Sequence, residues 1–371
     1  MTVGIPKEIK NNEKRVSMLP FGVEALTKSG HQVLIESGAG IGSGINNNIY
    51  KTAGATIVDC PENIFQKSDI IIKVKEPQPN EIKMISENQI IFSYFHFASN
   101  KTLTKNMLKT KSISIAYETV QTSDTQLPLL IPMSEIAGRM AVQNGAKYLE
   151  GNMGGIGKLL SGVPGVEPAT VTILGGGIVG ANAAKIASGL GAKVYILDIN
   201  AARLRYLDEI MPANVFTLYS NKHTIMELLP NTDLLIGGVL VVGSRAPKLI
   251  TRKMLSIMRK GSVIVDVAVD QGGCVETCKP TTHEKPIYQV DGIIHYCVAN
   301  MPGSVPYTST FALANATYPY IKKLADYGCI SALKENADLC NGLNIYKDMI
   351  THPGIANTFG MEYVLPLNAI A

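Results

Sequence analysis

The chain has 371 residues, 46% of them hydrophobic and 17% charged, which is more than one ordinary hydrophobic core accommodates and therefore predicts two domains. Its net charge of +4 is small and spread along the chain, which argues against nucleic acid as a main partner. No apolar run reaches the roughly 18 residues of a membrane span, so the sequence also argues against a membrane protein.

Short apolar runs alternate with helical patterns over the first third of the chain. The strand-like runs are TVGIP, HQVLIES, ATIVDC, IIIKVK, QIIFSYFHF and SISIAYET. Between them lie segments with apolar residues at helical spacing, such as LPFGVEALTKSG, which ends at a glycine. Apolar strands that alternate with helices predict a parallel sheet covered by helices on both faces.

A second alternating series follows the helical segment SEIAGRMAVQNGAKYLE and a loop rich in glycine and proline. Its strand-like runs are TVTIL, KVYILD, NVFTLYS, DLLIGG, SVIVDVAVD and GIIHYCVAN. The segment after them is mostly helical in pattern and too short to stand alone, so we expect it to pack on the first domain. The predicted fold class is α/β, with two Rossmann-like, doubly wound parallel-sheet domains and a cleft between them. The first domain is discontinuous, residues 1–128 plus 307–371, and the second is residues 129–306.

A glycine-rich turn opens the second series. Gly175, Gly177 and Gly180 form G-x-G-x-x-G between an apolar strand and a helix, and the next strand ends at Asp198. The first glycine permits a tight turn, the second lets a pyrophosphate approach the backbone, and the third lets helix and strand pack closely. The helix N-terminus attracts the phosphate, and Asp198 can accept hydrogen bonds from a ribose hydroxyl.

These residues predict that the second domain binds a dinucleotide. The alternative, glycines used only for a turn, fits less well, because the strand, the helix and the acidic residue all stand where the motif requires them. The Asp198 carboxylate would repel a 2′-phosphate, so NAD is favoured over NADP. Arg203 is the one residue that favours NADP, although we expect it to lie along the adenosine.

Ionisable side chains stand at the predicted carboxyl ends of two strands of the first domain, where open parallel sheets bind ligands. Lys73 and Lys75 are two residues apart and are expected on one face, so spacing alone does not choose between them. Either lysine could bind a carboxylate or polarise a ketone, or could belong to a solvated strand end. His96 is expected to share a face with Tyr94 and suits acid/base catalysis near neutral pH, although a histidine in an apolar run is more often a core residue.

Two further groups occupy comparable positions. Arg15 lies in the loop KEIKNNEKRV after the first strand and suits bidentate capture of a carboxylate, with a merely basic surface loop as the alternative. Asp270 ends the run SVIVDVAVD in the second domain. Each signal is modest alone, and the shared position at strand ends is what indicates a site.

The six cysteines are sparse, and their spacing fits no common metal site. Cys274 and Cys278 are four residues apart, and His283 alone does not complete a zinc set. We therefore expect free thiols and no metal. Free thiols, together with a first segment that reads as a strand rather than as a targeting sequence, predict a cytoplasmic protein.

Taken together, these motifs resemble the alanine dehydrogenase family. The resemblance runs along nearly the whole chain, through VGIPKEIKNNEKRV, GHQVLIESGAG, KVKEP, SIAYETVQT, LPLLIPMSEIAGRMA, GVPGVEPA, LDIN, LIGGVLV, VDVAVDQGG and YCVANMPGSVPYTST. It implies reversible, NAD-dependent oxidative deamination of L-alanine to pyruvate and ammonium. It also implies that the active site lies in the cleft, that the first domain binds the substrate, and that the chain forms a homohexamer.

The resemblance also assigns roles to individual residues. It places Arg15 and Lys75 at the substrate, which selects Lys75 over Lys73. It makes His96 the catalytic acid/base, acting at the carbinolamine oxygen, and Asp270 the second catalytic residue. Beside Gly175, Gly177 and Gly180 of the motif, the implied cofactor contacts are Ser134, Asp198, Arg203, Ser220, Val239, Leu240, Val298, Asn300 and Met301.

Two other functions are consistent with parts of the sequence. The NAD-binding component of a proton-translocating transhydrogenase shares the two-domain plan, but it would not need the basic and acidic residues around the cleft. A non-catalytic NAD-binding module would need only the glycine motif and Asp198. Reduction of NAD by L-alanine distinguishes the enzyme from both alternatives.

Overall fold

The structure is a computed structural model that describes residues 1–239 and 246–371, without the side chains of residues 270 and 271. The chain divides into two compact units, one formed by Met1–Met133 with Val305–Ala371 and the other by Ser134–Ser304. Each unit contains one mostly parallel sheet with helices, so the predicted α/β class with two Rossmann-like domains is confirmed.

The described ranges contain fifteen strands, numbered here in chain order. They are β1 (Thr2–Ile5), β2 (Gln32–Glu36), β3 (Thr56–Val58), β4 (Ile70–Ile72), β5 (Ile90–Ser93), β6 (Ile113–Ala116), β7 (Thr170–Leu174), β8 (Lys193–Asp198), β9 (Val215–Tyr219), β10 (Leu234–Gly237), β11 (Val263–Asp266), β12 (Ile287–Val290), β13 (Ile293–Tyr296), β14 (Leu343–Tyr346) and β15 (Met349–Ile350).

The same ranges contain fifteen α-helices. They are α1 (Pro20–Lys28), α2 (Asn47–Thr52), α3 (Pro61–Lys67), α4 (Pro79–Ile82), α5 (Lys101–Thr110), α6 (Ile131–Tyr148), α7 (Ile178–Gly189), α8 (Ala201–Ile210), α9 (Lys222–Leu228), α10 (Arg252–Leu255), α11 (Pro306–Tyr327), α12 (Cys329–Glu335), α13 (Ala337–Asn341), α14 (Pro353–Phe359) and α15 (Pro366–Ala369). None of them is both long and apolar enough to cross a membrane.

The sheet of the first unit has the order β15-β14-β6-β5-β4-β1-β2-β3. From β3 to β6 neighbouring strands are parallel, with Ile5 beside Ile35 and Ile72 beside Phe92. The C-terminal segment adds β14 and β15, which pair antiparallel at the β6 edge. This segment had been expected to be mostly helical, and the sheet is therefore mixed rather than wholly parallel.

The sheet of the second unit has the order β12-β13-β11-β10-β7-β8-β9. All neighbours are parallel except β12, an antiparallel edge strand that the apolar runs of the sequence do not indicate. In both units the chain begins in the middle of the sheet, builds outward to one edge, and then returns to the other side of its first strand. Each sheet thus has one point where the strand order reverses, between β1 and β4 in the first unit and between β7 and β10 in the second.

Continuous apolar runs make the central strands because helices cover both faces of each sheet. In the first unit, Ile71 and Ile91 pack in a buried cluster with Phe95. In the second, Leu235 and Ile264 pack in a comparable cluster. These two cores hold the carboxyl ends of the central strands in fixed positions, and the candidate site residues follow those ends.

Several strands end earlier than their apolar runs predict. β4 ends at Ile72, β5 at Ser93 and β11 at Asp266. Lys75, His96 and Asp270 therefore lie beyond their strands rather than at the last strand position. The alternation of faces along a strand, which had placed Lys73 with Lys75 and Tyr94 with His96, does not apply to them.

Candidate active site

The points where the strand order reverses locate a ligand site in each unit, since ligands of open α/β sheets bind outside the carboxyl ends of the strands there. In the first unit, the loop after β1 contains Arg15 and the loop after β4 contains Lys75. In the second unit, the loop after β7 contains the glycine motif and the residues after β10 include Val239. The motifs predicted from the sequence thus occupy the position that topology alone would select.

Arg15 is a buried cation paired with a buried acid, not part of a solvated basic loop. Its exposed fraction is only 2%, and its guanidinium donates to both carboxylate oxygens of Glu13, at 2.7 Å from Nε and 2.5 Å from Nη2. Nη1 also lies 3.1 Å from the sulfur of Met133. Burial alone raises the pKa of Glu13, but the hydrogen bonds and charge of Arg15 outweigh burial and lower that pKa to about 2.

Lys73 belongs to a buried ion-pair network. Its Nζ lies 2.8 Å from Glu81 and 3.2 Å from Glu8, and all three side chains are almost completely buried. Burial lowers the pKa of Lys73, and the two carboxylates more than compensate and raise it. Glu8 also accepts the backbone N–H of Val74 at 2.6 Å, so the network fixes the chain just before Lys75.

Lys75 has a different environment from Lys73. Its ammonium forms no ion pair among the described residues, and it lies 6.0 Å from the centre of the Tyr94 ring. Burial, together with the nearby charges of Arg15 and Lys10, lowers its pKa. A cation that is partly desolvated, beside another cation and without a bonded acid, is suited to bind an anionic ligand.

His96 lies three residues beyond β5 and is exposed. Its ring stacks on the ring of Tyr94, with centroids 5.9 Å apart and an angle of 4° between the planes. The Tyr94 hydroxyl donates to the carbonyl oxygen of Leu129 at 2.5 Å, which anchors the tyrosine. One tyrosine therefore lies beside both Lys75 and His96 and places them in one site.

The glycine motif has the geometry that its three functions require. Gly175 has a φ of 95°, which favours glycine, and a Cβ at Gly180 would lie 1.8 Å from the Gly175 carbonyl oxygen. A Cβ at Gly177, the N-cap of α7, would meet no atom within 4 Å. The first and third glycines thus serve the turn and the packing, whereas the second leaves open space at a helix N-terminus.

Asp198 at the end of β8 links the motif to the neighbouring strand. Its carboxylate accepts the backbone N–H of Gly176 at 2.7 Å and of Asn200 at 2.8 Å. Arg203 donates from Nε to the Gly176 carbonyl oxygen at 2.6 Å, and its guanidinium lies over the Tyr206 ring. Asp198, Arg203 and the glycine turn form one assembly.

The remaining predicted cofactor residues lie at several places in the second unit. Ser220 follows β9 and donates its backbone N–H to the Asp198 carbonyl oxygen at 2.9 Å. Ser134 is a half-buried residue of α6, and Val239 follows β10. Three more residues follow β13, namely Val298, Asn300 and Met301. Leu240 lies outside the described residues.

Asp270 belongs to a short 3-10 helix, Val267–Gln271, that follows β11. Its side chain is outside the part of the chain that the structure describes. The helix is fixed by Asp266, a fully buried acid whose carboxylate accepts the backbone N–H groups of Ala268, Cys274 and Val275 at 2.9–3.1 Å. Asp266 and Asp270 both stand in the run SVIVDVAVD, and the sequence does not show which of them caps the loop and which faces a ligand. Asp266 was therefore not predicted.

Two acids of the first unit were also missed. Glu13 was hidden in a loop that reads as basic, although its spacing of two from Arg15 was a usable signal. Glu118 follows β6, and its carboxylate accepts the backbone N–H of His96 at 2.6 Å. Contact between the turns after β5 and β6 depends on strand order, which one sequence does not supply.

Among the side chains that the structure describes, no group of three or more His, Cys, Asp or Glu residues is placed to hold a metal ion. All six cysteines are free thiols.

Known proteins and family models match nearly the whole chain. The family models "Alanine dehydrogenase/PNT, N-terminal domain" and "Alanine dehydrogenase/PNT, C-terminal domain" match residues 4–137 and 141–353. An alanine dehydrogenase of Methanococcus maripaludis is 53% identical over 364 residues, which cover 98% of each chain. A solved L-alanine dehydrogenase superposes with a TM-score of 0.94 at 49% identity, covering 97% of this chain and 99% of the other.

A solved transhydrogenase from Sinorhizobium meliloti superposes with a TM-score of 0.80 over 95% of this chain and 99% of its own. At 23% identity this similarity concerns the fold alone. The family resemblance read from the sequence is confirmed, and the chain belongs to the alanine dehydrogenase/PNT family.

Proposed function

We propose that this chain catalyses the reversible, NAD-dependent oxidative deamination of L-alanine to pyruvate and ammonium. The observation that carries the proposal is Lys75, a cation without a bonded acid in the described chain, held beside Arg15 and joined to His96 through the Tyr94 ring. Two cations and an acid/base group suit a substrate with one carboxylate and a neighbouring carbon that changes oxidation state. Relatives with about half of their residues identical are named as alanine dehydrogenases, which supports the same reaction.

The second unit fits NAD. The open space at Gly177 lies at the N-terminus of the twelve-residue helix α7, where backbone N–H groups favour a pyrophosphate. Asp198 is half-buried at the end of β8, where a carboxylate accepts ribose hydroxyl groups and disfavours a 2′-phosphate. We assign Arg203, Ser220, Ser134, Val239, Leu240, Val298, Asn300 and Met301 as further contacts. When bound, NAD supplies the hydride acceptor.

Arg15 and Lys75 bind and orient the substrate. The guanidinium and the ammonium hold the carboxylate, which fixes the neighbouring Cα for loss of its hydride. Glu13 keeps Arg15 in place through two hydrogen bonds, and the network around Lys73 keeps the Lys75 loop in place.

His96 moves protons in the second half of the reaction. It takes a proton from the water that attacks the iminium carbon and gives that proton to the carbinolamine nitrogen. The neutral imidazole then accepts the proton of the carbinolamine oxygen as the carbon–nitrogen bond breaks and ammonia leaves. Asp270 stabilises the cationic nitrogen or helps to move its proton. The reaction requires the residues that bind the substrate and the residues that move protons to act on the same bound substrate.

We also propose a role for each domain, an oligomeric state and a cellular compartment. Residues 1–128 plus 307–371 form the substrate domain, and residues 129–306 form the NAD-binding domain. Family resemblance supports a homohexamer, and the free thiols support a cytoplasmic protein.

The test is the absorbance of reduced nicotinamide in purified protein mixed with NAD and L-alanine at alkaline pH. We expect rapid reduction with L-alanine and NAD, and little with D-alanine or NADP in parallel. The His96→Ala variant should lose turnover by orders of magnitude and still bind NAD.

The result also decides between this function and its rivals. NAD binding without reduction by any amino acid would favour a transhydrogenase component or a non-catalytic module. Near-normal turnover in His96→Ala would contradict the acid/base role while leaving the reaction itself in place.

A further inference from the structure

The backbone of His96 has a conformation that its residue type disfavours. Its φ of 53° and ψ of 42° lie in the left-handed region, where a side chain crowds the adjacent backbone. Such a conformation persists only where surrounding groups hold it, and it is concentrated at functional sites. The groups that hold His96 are therefore candidates for a role in the reaction.

The carboxylate of Glu118 holds the N–H side of this backbone. Its Oε1 accepts the N–H of His96 at 2.6 Å and that of Phe95 at 3.2 Å, and its Oε2 lies 3.3 Å from the Phe95 nitrogen. Glu118 follows β6, which pairs with β5 so that Ser93 and Ala116 are neighbours. One turn thus reaches across to the next and binds it through hydrogen bonds from two successive N–H groups.

Separate contacts hold the rest of the residue. The hydroxyl of Ser99 donates to the His96 carbonyl oxygen at 2.8 Å, and Tyr94 stacks on the imidazole ring. No hydrogen bond joins Glu118 to the imidazole itself within the described residues. Glu118 therefore acts on the ring through the backbone that carries it.

We propose that Glu118 is a positioning residue for His96, and that it acts through the reach of its side chain rather than through its negative charge. This inference rests on the proposed acid/base role of His96. A proton-transfer group must lie within hydrogen-bond distance of its target, and a misplacement of about 1 Å lowers a rate by about a hundredfold. By holding two successive N–H groups, Glu118 fixes the direction in which the His96 side chain leaves the backbone.

Two substitutions separate reach from charge. Glu118→Gln keeps an oxygen where Oε1 lies and removes the charge, whereas Glu118→Asp keeps the charge and withdraws both oxygens by one methylene. We expect the Gln variant to reduce NAD with L-alanine within about threefold of the unchanged kcat, and the Asp variant to lose about tenfold to a hundredfold. The KM for NAD should stay unchanged in both. The same two substitutions at exposed Glu87 are the control.

The opposite ranking, an active Asp variant and an inactive Gln variant, would overturn the proposal in favour of an electrostatic role. Equal turnover in all variants would overturn it as well. The pH profile of kcat/KM gives an independent readout. A displaced ring lowers the rate in Glu118→Asp without moving the midpoint of the profile, whereas loss of the neighbouring charge shifts the midpoint in Glu118→Gln whatever the role of the side chain. If the Asp variant misfolds, the Gln variant alone decides, because low turnover there contradicts the proposal.

His96→Ala distinguishes failure of this inference from failure of the proposed function. Near-normal turnover of His96→Ala would remove the premise. A large loss in His96→Ala together with normal turnover in Glu118→Asp would refute only the role of Glu118. Combining the two substitutions should lower the residual turnover of His96→Ala no further, because a residue that acts only through His96 has nothing left to position. A further drop would indicate a general structural role and overturn the proposal.

Discussion

Lys73 and Lys75 are separated by one residue and have opposite environments. The first is fully buried between Glu8 and Glu81, and the second has no ion pair in the described chain. Burial of a lysine is tolerated only where its charge is paired, so the paired lysine is a structural element. The unpaired one keeps its charge available for a ligand. Two residues of the same type thus divide stability and function between them.

Substitution of each lysine by methionine should separate these effects. Lys73→Met leaves two buried carboxylates without their cation, so we expect a loss of about 3–5 kcal/mol in the free energy of unfolding. Lys75→Met should leave that free energy unchanged or higher and lower kcat/KM for pyruvate by about tenfold to a hundredfold, the value of a charged hydrogen bond. Urea unfolding and reductive amination measure the two quantities. Similar unfolding curves for the two variants would contradict this division.

Glu13 should make stability depend on pH in acid. Its pKa is about 2 in the folded protein against an ordinary 4.5, so the ionised form is favoured by folding. The corresponding stabilisation, about 3 kcal/mol, is present above pH 4.5 and is lost as the pH falls from 4.5 towards 2. Glu13→Gln should therefore be much less stable than the unchanged protein at pH 7, with a smaller difference at pH 3.

Urea unfolding at several pH values tests this expectation, with exposed Glu87→Gln as the matched control. A difference between Glu13→Gln and the unchanged protein that stays constant from pH 7 to pH 3 would contradict it. For Glu8 the dependence of stability on pH has the opposite sign. Burial raises the pKa of this carboxyl, so folding favours its protonated form.

At the scale of elements, the glycine turn before α7 separates packing from ligand binding. A Cβ added at Gly180 would lie 1.8 Å from the Gly175 carbonyl oxygen, so this position has no room for a side chain. Gly177, in contrast, faces open space. Gly180→Ala should lower the free energy of unfolding by about 1–3 kcal/mol, as overpacking does. Gly177→Ala should fold with unchanged stability and bind NAD at least about tenfold more weakly, because its methyl group would occupy the space for the pyrophosphate.

Urea unfolding and titration with NAD measure both variants. Exposed Gly189, where a Cβ meets no atom within 4 Å, provides a control for the general effect of alanine in this helix. Unchanged NAD affinity in Gly177→Ala would place the pyrophosphate elsewhere.

The parallel strands of both sheets were predictable because buried parallel strands are apolar throughout and turns between them are polar. The hairpin of β14 and β15 was not, since these strands are short and their turn has Lys347 at a φ of 58° where glycine would give the usual signal. The candidate site was predictable in its residue types but not in its geometry. The sequence around His96 does not indicate its left-handed backbone, because the group that holds this conformation is Glu118, which follows another strand.

At the scale of the whole molecule, the proposed homohexamer makes a prediction about mass. Light scattering on the purified protein should give about 240 kDa, six times the 39.9 kDa of one chain. Several apolar side chains of the loop before β7 are exposed in the single chain, among them Leu159 and Val166. Assembly is a common reason for such exposure. A mass near 40 or 80 kDa would contradict the hexamer.

The pairing of β14 with β6 has a consequence for synthesis of the protein. The two strands belong to one sheet, yet contacts such as that between Thr119 and Asn344 join residues 225 positions apart. During synthesis on the ribosome, the edge of β6 stays unpaired until β14 is made, and the whole of Ser134–Ser304 emerges before β14. The second unit can close on itself first, and the first unit becomes complete only after β14 has emerged. During that interval the nascent chain carries an exposed strand edge, which is a template for pairing with another chain and so for aggregation.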